Sequence, residues 1–431
     1  MPCVRLQERR PRRRRPAGRR EVPRQPLLGG GAAAALRPRC SRRRLCDAAA
    51  GRGRAARRRG EDRPPAAASL PAEGAHASRG RIRLHRRPAP VGGPGFQAGR
   101  APPAGRSRRR RLRHARRRLT RALVLGGAGF IGVAACKELM RRGVETIAAG
   151  RKDRPYGTFT SYVAFDRTDE DQLSRALAQT QPDVLLDLAC YQPHEVEAVA
   201  RHFKGDRYVF VSTGVYPDLH GRPAREEDFV PLRGEAPDAL DYREGRRWCE
   251  TALSRLTDFP WTVVRPPAVF GPADHTLRIA AYVQRVEDGG PVLVPSETYE
   301  WQAGLAWVKD IGFACALACD LRKDTTHMAY NAAFEGVSLR DLIEGIARAL
   351  GKPARLHPMP FSEIPEGARP YGPDPSRSAG YVLDRARREL GFEPSALEDA
   401  LAETLAWYRV ARPSHPGYAH RAEELALAGV T

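Results

Sequence analysis

The chain has 431 residues, and its 73 basic and 50 acidic side chains give a net charge of +23. This charge belongs to one end: residues 1–118 hold 36 Arg, no Lys and 6 acidic residues (+30), while residues 119–431 are mildly acidic (−7). The basic pI near 10.3 therefore gives no information about the partners of residues 119–431. No run of 18 apolar residues occurs, which argues against a transmembrane helix.

Residues 1–118 allow three interpretations. An Arg-rich disordered tail would bind nucleic-acid phosphates without sequence preference. An organelle transit peptide is also Arg-rich, but it should be Ser-rich too, and only four Ser occur here. We favour a third interpretation, a start site placed too early in GC-rich DNA, because Arg, Ala, Gly and Pro dominate the segment and Phe96 is its one aromatic residue. In each case the segment is expected to be disordered, since it cannot bury enough apolar surface to fold.

Residues 119–431 are numerous enough to bury a large core as one α/β unit with a smaller lobe. Their five cysteines are scattered and form no C-x-x-C pair. Cys315 and Cys319 lie one helical turn apart without companion ligands, so no metal site is predicted and both are expected to be buried. The pattern favours a reduced, cytoplasmic protein.

The first structured stretch, residues 121–132, reads R-A-L-V-L-G-G-A-G-F-I-G. Its apolar start predicts a buried parallel strand, and a G-x-x-G-x-x-G run follows at once: Gly126, Gly129 and Gly132. The first glycine permits a tight turn, the second leaves room for a pyrophosphate, and the third lets the next helix lie close to the sheet. From Phe130 and Ile131 onward the pattern is helical, and the N–H groups of that helix would point at the phosphates. This order of strand, glycines and helix predicts a dinucleotide site.

The second predicted strand, Val144–Ala149, leads into Arg151 and Lys152. An NAD site usually places a carboxylate there to bind the ribose 2′-hydroxyl, whereas Arg151 suits the 2′-phosphate of NADP. NADP is therefore the expected cofactor. NAD stays open if Arg151 is only a solvated charge of the turn.

Strands and helices then alternate at the spacing of βαβ units. Strands are predicted at Tyr162–Phe165, Asp183–Leu188, Arg207–Val211 and Trp261–Val264, and helices at Glu170–Ala178, His194–His202 and Tyr242–Leu256. The pattern predicts an α/β fold with a doubly wound parallel sheet of the Rossmann type over 119–272 and a smaller C-terminal α/β substrate lobe over 273–431. The polar stretch Tyr216–Pro237 is expected to be a loop over the active site.

The C-terminal lobe shows helical patterns at 276–286, 310–319 and 338–350, and a last one from residue 397. Ser338 and Asp341 come close to a capping box, and Ser395 and Glu398 form a full one. Both are therefore predicted to begin helices.

Several of these segments together resemble the extended short-chain dehydrogenase/reductases of the NAD-dependent epimerase/dehydratase family. They are G-G-A-G-F-I-G at 126–132, Asp166 after the third strand, V-F-V-S-T at 209–213, R-P-P-A-V-F-G-P at 265–272 and W-V-K-D at 307–310. The resemblance spans about 119–411 and implies a nucleotide-binding domain plus a substrate lobe. In this family the Tyr of Y-x-x-x-K moves a proton on a substrate hydroxyl or carbonyl, and a Ser or Thr after the fifth strand bonds the same oxygen.

The resemblance implies Tyr242 as the acid/base, Thr213 as the hydroxyl donor with Ser212 as the alternative, and Arg246 in the place of the lysine. Arg246 keeps the positive charge, but its planar group cannot reach the ribose as an ammonium does. The implied cofactor contacts are Gly126, Gly129, Phe130, Ile131, Gly132, Arg151, Asp166, Ala189, Tyr242, Arg246 and Pro266. In relatives that use sugar nucleotides, arginines of this lobe pair with the diphosphate, so Arg278 and Arg285 are either such ligands or solvated charges.

The expected function is that of an NADP-preferring oxidoreductase or epimerase/dehydratase acting on a small polar substrate, with nucleotide sugars as a candidate class. Dehydratases often add an acidic residue beside the Thr, and Gly214 and Val215 offer none. The alternative is a catalytically weak NADP-binding sensor or a nucleic-acid-binding protein, which the Arg-rich segment and Arg246 would favour. No membrane partner is expected, and a homodimer is left open.

Overall fold

The computed structural model describes residues 120–152, 155–368 and 380–430. The expectations for residues 1–118 lie outside these ranges. The strands are β1 Arg121–Leu125, β2 Glu145–Gly150, β3 Ser161–Ala164, β4 Val184–Asp187, β5 Arg207–Val211, β6 Trp261–Arg265, β7 Ala268–Phe270, β8 Val292–Pro295, β9 Leu305–Trp307, β10 Met328–Asn331 and β11 Leu356–Met359. The helices are α1 Phe130–Arg141, α2 Glu170–Thr180, α3 Pro193–His202, α4 Tyr242–Arg255, α5 Arg278–Glu287, α6 Val308–Ala318, α7 Leu339–Leu350, α8 Leu397–Ala411 and α9 Arg421–Leu427.

Seven strands form one parallel sheet in the order β10-β6-β5-β4-β1-β2-β3. β1 lies between β2 and β4, and Leu125 at its end is level with Ala149 and Asp187. The chain runs outward from β1 to β3 on one side and from β4 to β6 on the other, so the topology switches between β1 and β4. In doubly wound sheets a ligand crevice opens at the carboxyl ends of the strands at this point. The predicted fold class, a doubly wound parallel sheet, is confirmed.

Apolar side chains cover both faces of this sheet. Along β1 the side chains alternate, so Val124 packs into the layer that contains α1 and α6, and Leu123 packs into the layer that contains α2, α3 and α4. Gly312 lets α6 lie directly on α1, because a Cβ at this position would be 2.7 Å from the Ala134 carbonyl carbon. Helices on both faces leave the strand ends as the accessible edge of the sheet.

The chain returns to the large sheet after residue 272. β10 pairs in parallel with β6, and Tyr330 lies opposite Val264. The sequence pattern did not predict β10, nor β7, β9 and β11. The division of the chain at residue 272 stays a prediction.

The two expected capping boxes have different outcomes. At the start of α7, the Asp341 N–H donates to Ser338 Oγ and the Ser338 N–H donates to the Asp341 carboxylate, so this box is confirmed. The box at Ser395 is wrong, since the Ser395 hydroxyl donates instead to Asp310, 2.7 Å away, and α8 begins without a side-chain cap. The buried Asp310 carboxylate needs a donor, and the Ser395 hydroxyl satisfies it instead of capping the helix.

Arg285 was expected to be a diphosphate ligand or a solvated charge, and the structure contradicts both. Its side chain is fully buried, and its Nε donates to Glu424 Oε2 at 2.8 Å. Arg285 therefore joins α5 to α9. Among the described residues, no helix is long and apolar enough to cross a bilayer.

Candidate active site

The glycine-rich turn, residues 126–132, joins β1 to α1 at the carboxyl edge of the sheet. Gly126 has a φ of +80°, which favours glycine. A Cβ at Gly132 would lie 2.1 Å from the Gly126 carbonyl oxygen, so the third glycine cannot be replaced without moving the turn. α1 begins directly after Gly129 and has no acidic residue in its first turn. Bare backbone and the positive end of a helix therefore fit the pyrophosphate of a dinucleotide.

Two adjoining cavities, of about 640 and 510 Å³, form one cleft along this turn. Four residues line both of them: Gly126, Gly129, Ala189 and Tyr191. The predicted site residues on the larger cavity are Gly126, Gly129, Phe130, Ile131, Gly132, Ala189, Thr213, Tyr242, Arg246 and Pro266, and those on the smaller cavity are Arg151 and Asp166 in addition to the shared residues. The structure thus brings the predicted catalytic and cofactor-binding residues to a single cleft, and Arg285 alone among the candidates lies elsewhere.

The smaller cavity has two cations on its rim. Arg151 is exposed at the end of β2, and the Lys152 Nζ donates to the Ala128 carbonyl at 3.1 Å, which places its ammonium beside the glycine-rich turn. Asp166 faces the same cavity, and hydrogen bonds from the Thr168 N–H and hydroxyl hold the pKa of its carboxyl below the usual range. The cavity thus carries both a carboxylate for ribose hydroxyls and cations for a phosphate.

Buried charges fix the backbone at the end of β4. Asp187 is fully buried, binds Arg167 at 2.6 Å and accepts a hydrogen bond from the Ala189 N–H at 2.9 Å. Two residues later, the Tyr191 N–H donates to Glu195 at 2.6 Å. Ala189 and Tyr191 are therefore presented to the cleft from a rigid turn.

Tyr242 and Arg246 lie one turn apart on α4 and share its cleft-facing side. Tyr242 is 56% exposed, whereas Arg246 is 3% exposed and donates from Nη1 to the Val211 carbonyl at 2.7 Å and from Nη2 to the Leu188 carbonyl at 3.1 Å. Its Cζ is 5.3 Å from the centroid of the Tyr242 ring. Burial alone would lower the pKa of the Arg246 guanidinium, but the neighbouring acidic groups, Tyr242 first among them, outweigh burial and raise the pKa. A fixed positive charge therefore lies beside the Tyr242 phenol.

The two hydroxyls after β5 differ in their surroundings. Ser212 is 2% exposed, and its buried Oγ has no hydrogen-bond partner among the residues that the structure describes. Thr213 is half-buried, and both residues line the larger cavity. A Cβ at Gly214 would lie 2.2 Å from the Tyr381 hydroxyl, so this position has no room for an acidic side chain.

The profile of the NAD dependent epimerase/dehydratase family matches residues 122–333, which include the glycine-rich turn and α4. The segment 122–333, about half of the chain, therefore carries the domain of this family. The predicted resemblance is thereby confirmed.

Two curated relatives and one solved structure illustrate the family. The chloroplast stem-loop binding protein of 41 kDa b from Arabidopsis thaliana is 25% identical over 291 residues, which is 63% of this chain and 74% of that protein. The 2′-dehydrokanamycin reductase of Streptomyces kanamyceticus is 28% identical over 247 residues, 54% of this chain and 67% of that enzyme. The UDP-glucose 4-epimerase of Thermus thermophilus, solved with NAD, has a TM-score of 0.51 at 23% identity and covers 68% of this chain and all of its own. This last comparison concerns the fold alone.

The cleft also includes residues that sequence reasoning did not select. Tyr191 was missed, although its place just beyond β4, at the switch point of the sheet, was a usable signal. The far wall of the larger cavity comes from the segment after β7, where Asp274, His275 and Thr276 were not selected and Arg278 was already a candidate diphosphate ligand. There the Arg278 Nη1 donates to Thr276 Oγ1 at 2.6 Å, so Arg278 remains at the cavity, unlike Arg285.

Proposed function

We propose that this chain is an oxidoreductase or epimerase that uses NADP in preference to NAD and acts on a small polar substrate, with nucleotide sugars as the candidate class. The observation that carries the proposal is the meeting of Tyr242, Arg246 and the Ser212–Thr213 hydroxyls on the cavity that adjoins the glycine-rich turn. The family match and a relative named as a reductase support the reaction class.

The glycine-rich turn and the start of α1 would hold the cofactor pyrophosphate, and Arg151 and Lys152 would bind a ribose 2′-phosphate. A nicotinamide dinucleotide, when bound, takes up or gives back a hydride at a substrate carbon. Tyr242 would take or return the proton at the attached oxygen. Arg246 would stabilise the phenolate through its charge, since its two terminal nitrogens already donate to backbone carbonyls.

Reduction or epimerisation fits this site better than dehydration. The Tyr381 hydroxyl lies where a side chain at position 214 would extend, so the turn after β5 has no acidic group to protonate a leaving hydroxyl. Ser212 and Thr213 can hydrogen-bond to the substrate oxygen, but their hydroxyls are too weakly acidic to protonate a leaving group. The chemistry at the site is therefore proton transfer at one oxygen, supplied by Tyr242.

Replacing Tyr242 by Phe tests the proposal. The change should lower kcat by about 10²–10⁴-fold, the usual contribution of a positioned acid/base, while the NADP dissociation constant stays within a few-fold of the wild type. The assay is turnover of a panel of nucleotide sugars and small carbonyl compounds, with cofactor binding measured by calorimetry. Tyr156→Phe is the matched control, because Tyr156 is 80% exposed and lines neither cavity. An active enzyme that tolerates Tyr242→Phe would contradict the proposal.

A second candidate function, nucleic-acid binding, is favoured by the name of the stem-loop binding relative. The net charge of −7 over residues 119–431 argues against it, since phosphate contacts need clustered cations. Binding of the full chain to an RNA hairpin and to an unstructured RNA of equal length distinguishes the two functions. A preference for the hairpin that survives moderate salt, without turnover of any carbonyl substrate, would favour the second candidate.

A further inference from the structure

Aromatic rings enclose the Arg246 guanidinium. Its Cζ lies 4.6 Å from the ring centroid of Tyr191, 5.3 Å from that of Tyr242 and 5.4 Å from that of Phe210. Its Nε is buried and has no hydrogen-bond partner among the described residues. With 3% of its surface exposed, this side chain has almost no contact area for a ligand, so its charge acts on its neighbours.

The two carbonyls that accept from Arg246 come from adjacent strands. Val211 is the last residue of β5, and Leu188 follows the last residue of β4. The next residue along the chain is Ser212 in one case and Ala189 in the other, and both line the larger cavity. Arg246 therefore ties α4 to the two strand ends that present the site. A lysine would place all its donors on one nitrogen and would have no flat surface for the rings.

Both backbone polar groups of Tyr191 are fixed, which keeps its ring against this guanidinium. Its N–H donates to Glu195 at 2.6 Å, and its carbonyl oxygen packs on Gly245, where a Cβ would lie at 2.2 Å. The Tyr191 ring is 6.0 Å from the Tyr242 ring, and 45% of the residue is exposed. Partial burial raises the pKa of the Tyr191 phenol above its ordinary value.

We propose that Tyr191 is a positioning residue whose ring holds the Arg246 guanidinium in place between β4 and β5, and that the two residues together replace the lysine of Y-x-x-x-K. The role of this pair in turnover rests on the proposed function. Its role in shaping the cleft does not, because Tyr191 lines both cavities and Arg246 ties their shared wall. The ring, and not the hydroxyl, carries this role.

A double-mutant cycle on the full chain tests the pair, with NADP⁺ as the probe and calorimetric dissociation constants as the readout. The variants are Tyr191→Leu, Arg246→Lys and the combination of the two. Each single change should weaken binding by about 3–30-fold, the range of a largely buried cation–π contact. The combined variant should be no more than about threefold weaker than the worse single variant, because the second change then removes a contact that is already lost.

Tyr191→Phe separates the ring from the hydroxyl. This variant keeps the ring over Arg246, so its affinity for NADP⁺ should lie within about threefold of the wild type. The affinity of Tyr191→Leu should fall well below that of Tyr191→Phe. Tyr156→Leu again serves as the surface control. Equal losses in Tyr191→Phe and Tyr191→Leu, or multiplicative losses in the cycle, would overturn the proposal. If Arg246→Lys does not fold, the comparison of Phe with Leu at position 191 still decides.

Turnover gives a second, separate readout. On a substrate that the wild type accepts, Tyr191→Leu should lower kcat more than it raises the substrate KM, because the ring contacts Arg246 and Tyr242. A wild-type protein without turnover would contradict the proposed function, but the NADP⁺ binding cycle could still be measured and would still test the pair. An active enzyme in which the two fold losses multiply in the cycle would instead remove only the paired role of Tyr191 and Arg246.

Discussion

Ser212 and Thr213 are neighbours in sequence, but their hydroxyls have different surroundings at the cavity. The buried Ser212 Oγ has no partner among the described residues, and a buried hydroxyl left unpaired costs about 1–3 kcal/mol. A substrate oxygen at this wall would remove that cost. Thr213 is half-buried, where water can satisfy its hydroxyl.

We therefore expect Ser212→Ala to lower kcat/KM by about 10–100-fold, the value of one hydrogen bond to a reacting oxygen, and Thr213→Val to change it by less than about threefold. Steady-state kinetics on the same substrate compare the two. The sequence alone favoured Thr213, so the opposite order of effects would restore that assignment. Both variants should keep the wild-type NADP affinity, which controls for disturbance of the cleft.

Arg151 should supply the preference for NADP. It is exposed, so a charge-assisted bond to the 2′-phosphate is worth about 1 kcal/mol after screening, or about fivefold in affinity. Arg151→Ala should weaken NADP binding by this factor and leave NAD binding unchanged. Lys152→Ala is the comparison variant, because the Lys152 ammonium also reaches the glycine-rich turn. A preference that neither variant reduces would make both residues ordinary charges of the turn.

At the scale of elements, α4 depends on one glycine. Glycine inside a helix is normally about 1 kcal/mol less favourable than alanine, so Gly→Ala usually stabilises. At Gly245 the added Cβ would lie 2.2 Å from the Tyr191 carbonyl oxygen, a backbone atom that cannot rotate away. Gly245→Ala should therefore destabilise the fold by about 1–3 kcal/mol, as overpacking does, and weaken NADP binding. Urea unfolding measures the first effect.

Gly345→Ala on α7 is the matched control, since its nearest neighbour is a Leu401 methyl that can shift. Its free energy of unfolding should stay within about 1 kcal/mol of the wild type. A stabilised Gly245→Ala variant would show that α4 does not press on Tyr191.

The sequence predicted most elements that contribute to the cleft, because β1, β4 and β5 are largely apolar runs that are buried on both faces of the sheet. β10 was missed since its four residues, M-A-Y-N, have no apolar periodicity, and only pairing with β6 makes them a strand. β7 and β9 are three residues long and depend on each other. Elements defined by tertiary pairing leave little trace in a local pattern.

Across the whole molecule, long-range charge pairs were least visible in the sequence. Spacing placed Tyr242 and Arg246 on one face of a helix, which needs only the helical period. In contrast, the partner of Arg285 is Glu424, 139 residues away. Helical periodicity could not distinguish a solvated arginine at position 285 from one covered by a C-terminal helix.

This buried pair attaches the C-terminal helix α9 to α5. Arg285 also donates to the Ala281 carbonyl at 2.8 Å and to the Gly367 carbonyl at 3.1 Å, and Glu424 receives a second cation, Arg421, at 3.0 Å. Glu424→Gln removes the charge while keeping the shape, and it leaves the Arg285 guanidinium buried without a carboxylate. Breaking a buried pair from one side costs about 3–5 kcal/mol.

We expect Glu424→Gln to lose about that much free energy of unfolding in urea, and Glu423→Gln, at an exposed neighbouring position, to lose less than about 0.5 kcal/mol. Because α5 begins at Arg278 on the wall of the larger cavity, loosening α9 should also raise the substrate KM more than it weakens NADP binding. Equal stabilities of the two variants would mean that the Arg285–Glu424 pair does not hold α9 in place. A loss of stability with unchanged KM would instead confine the effect of the pair to the C-terminal helix.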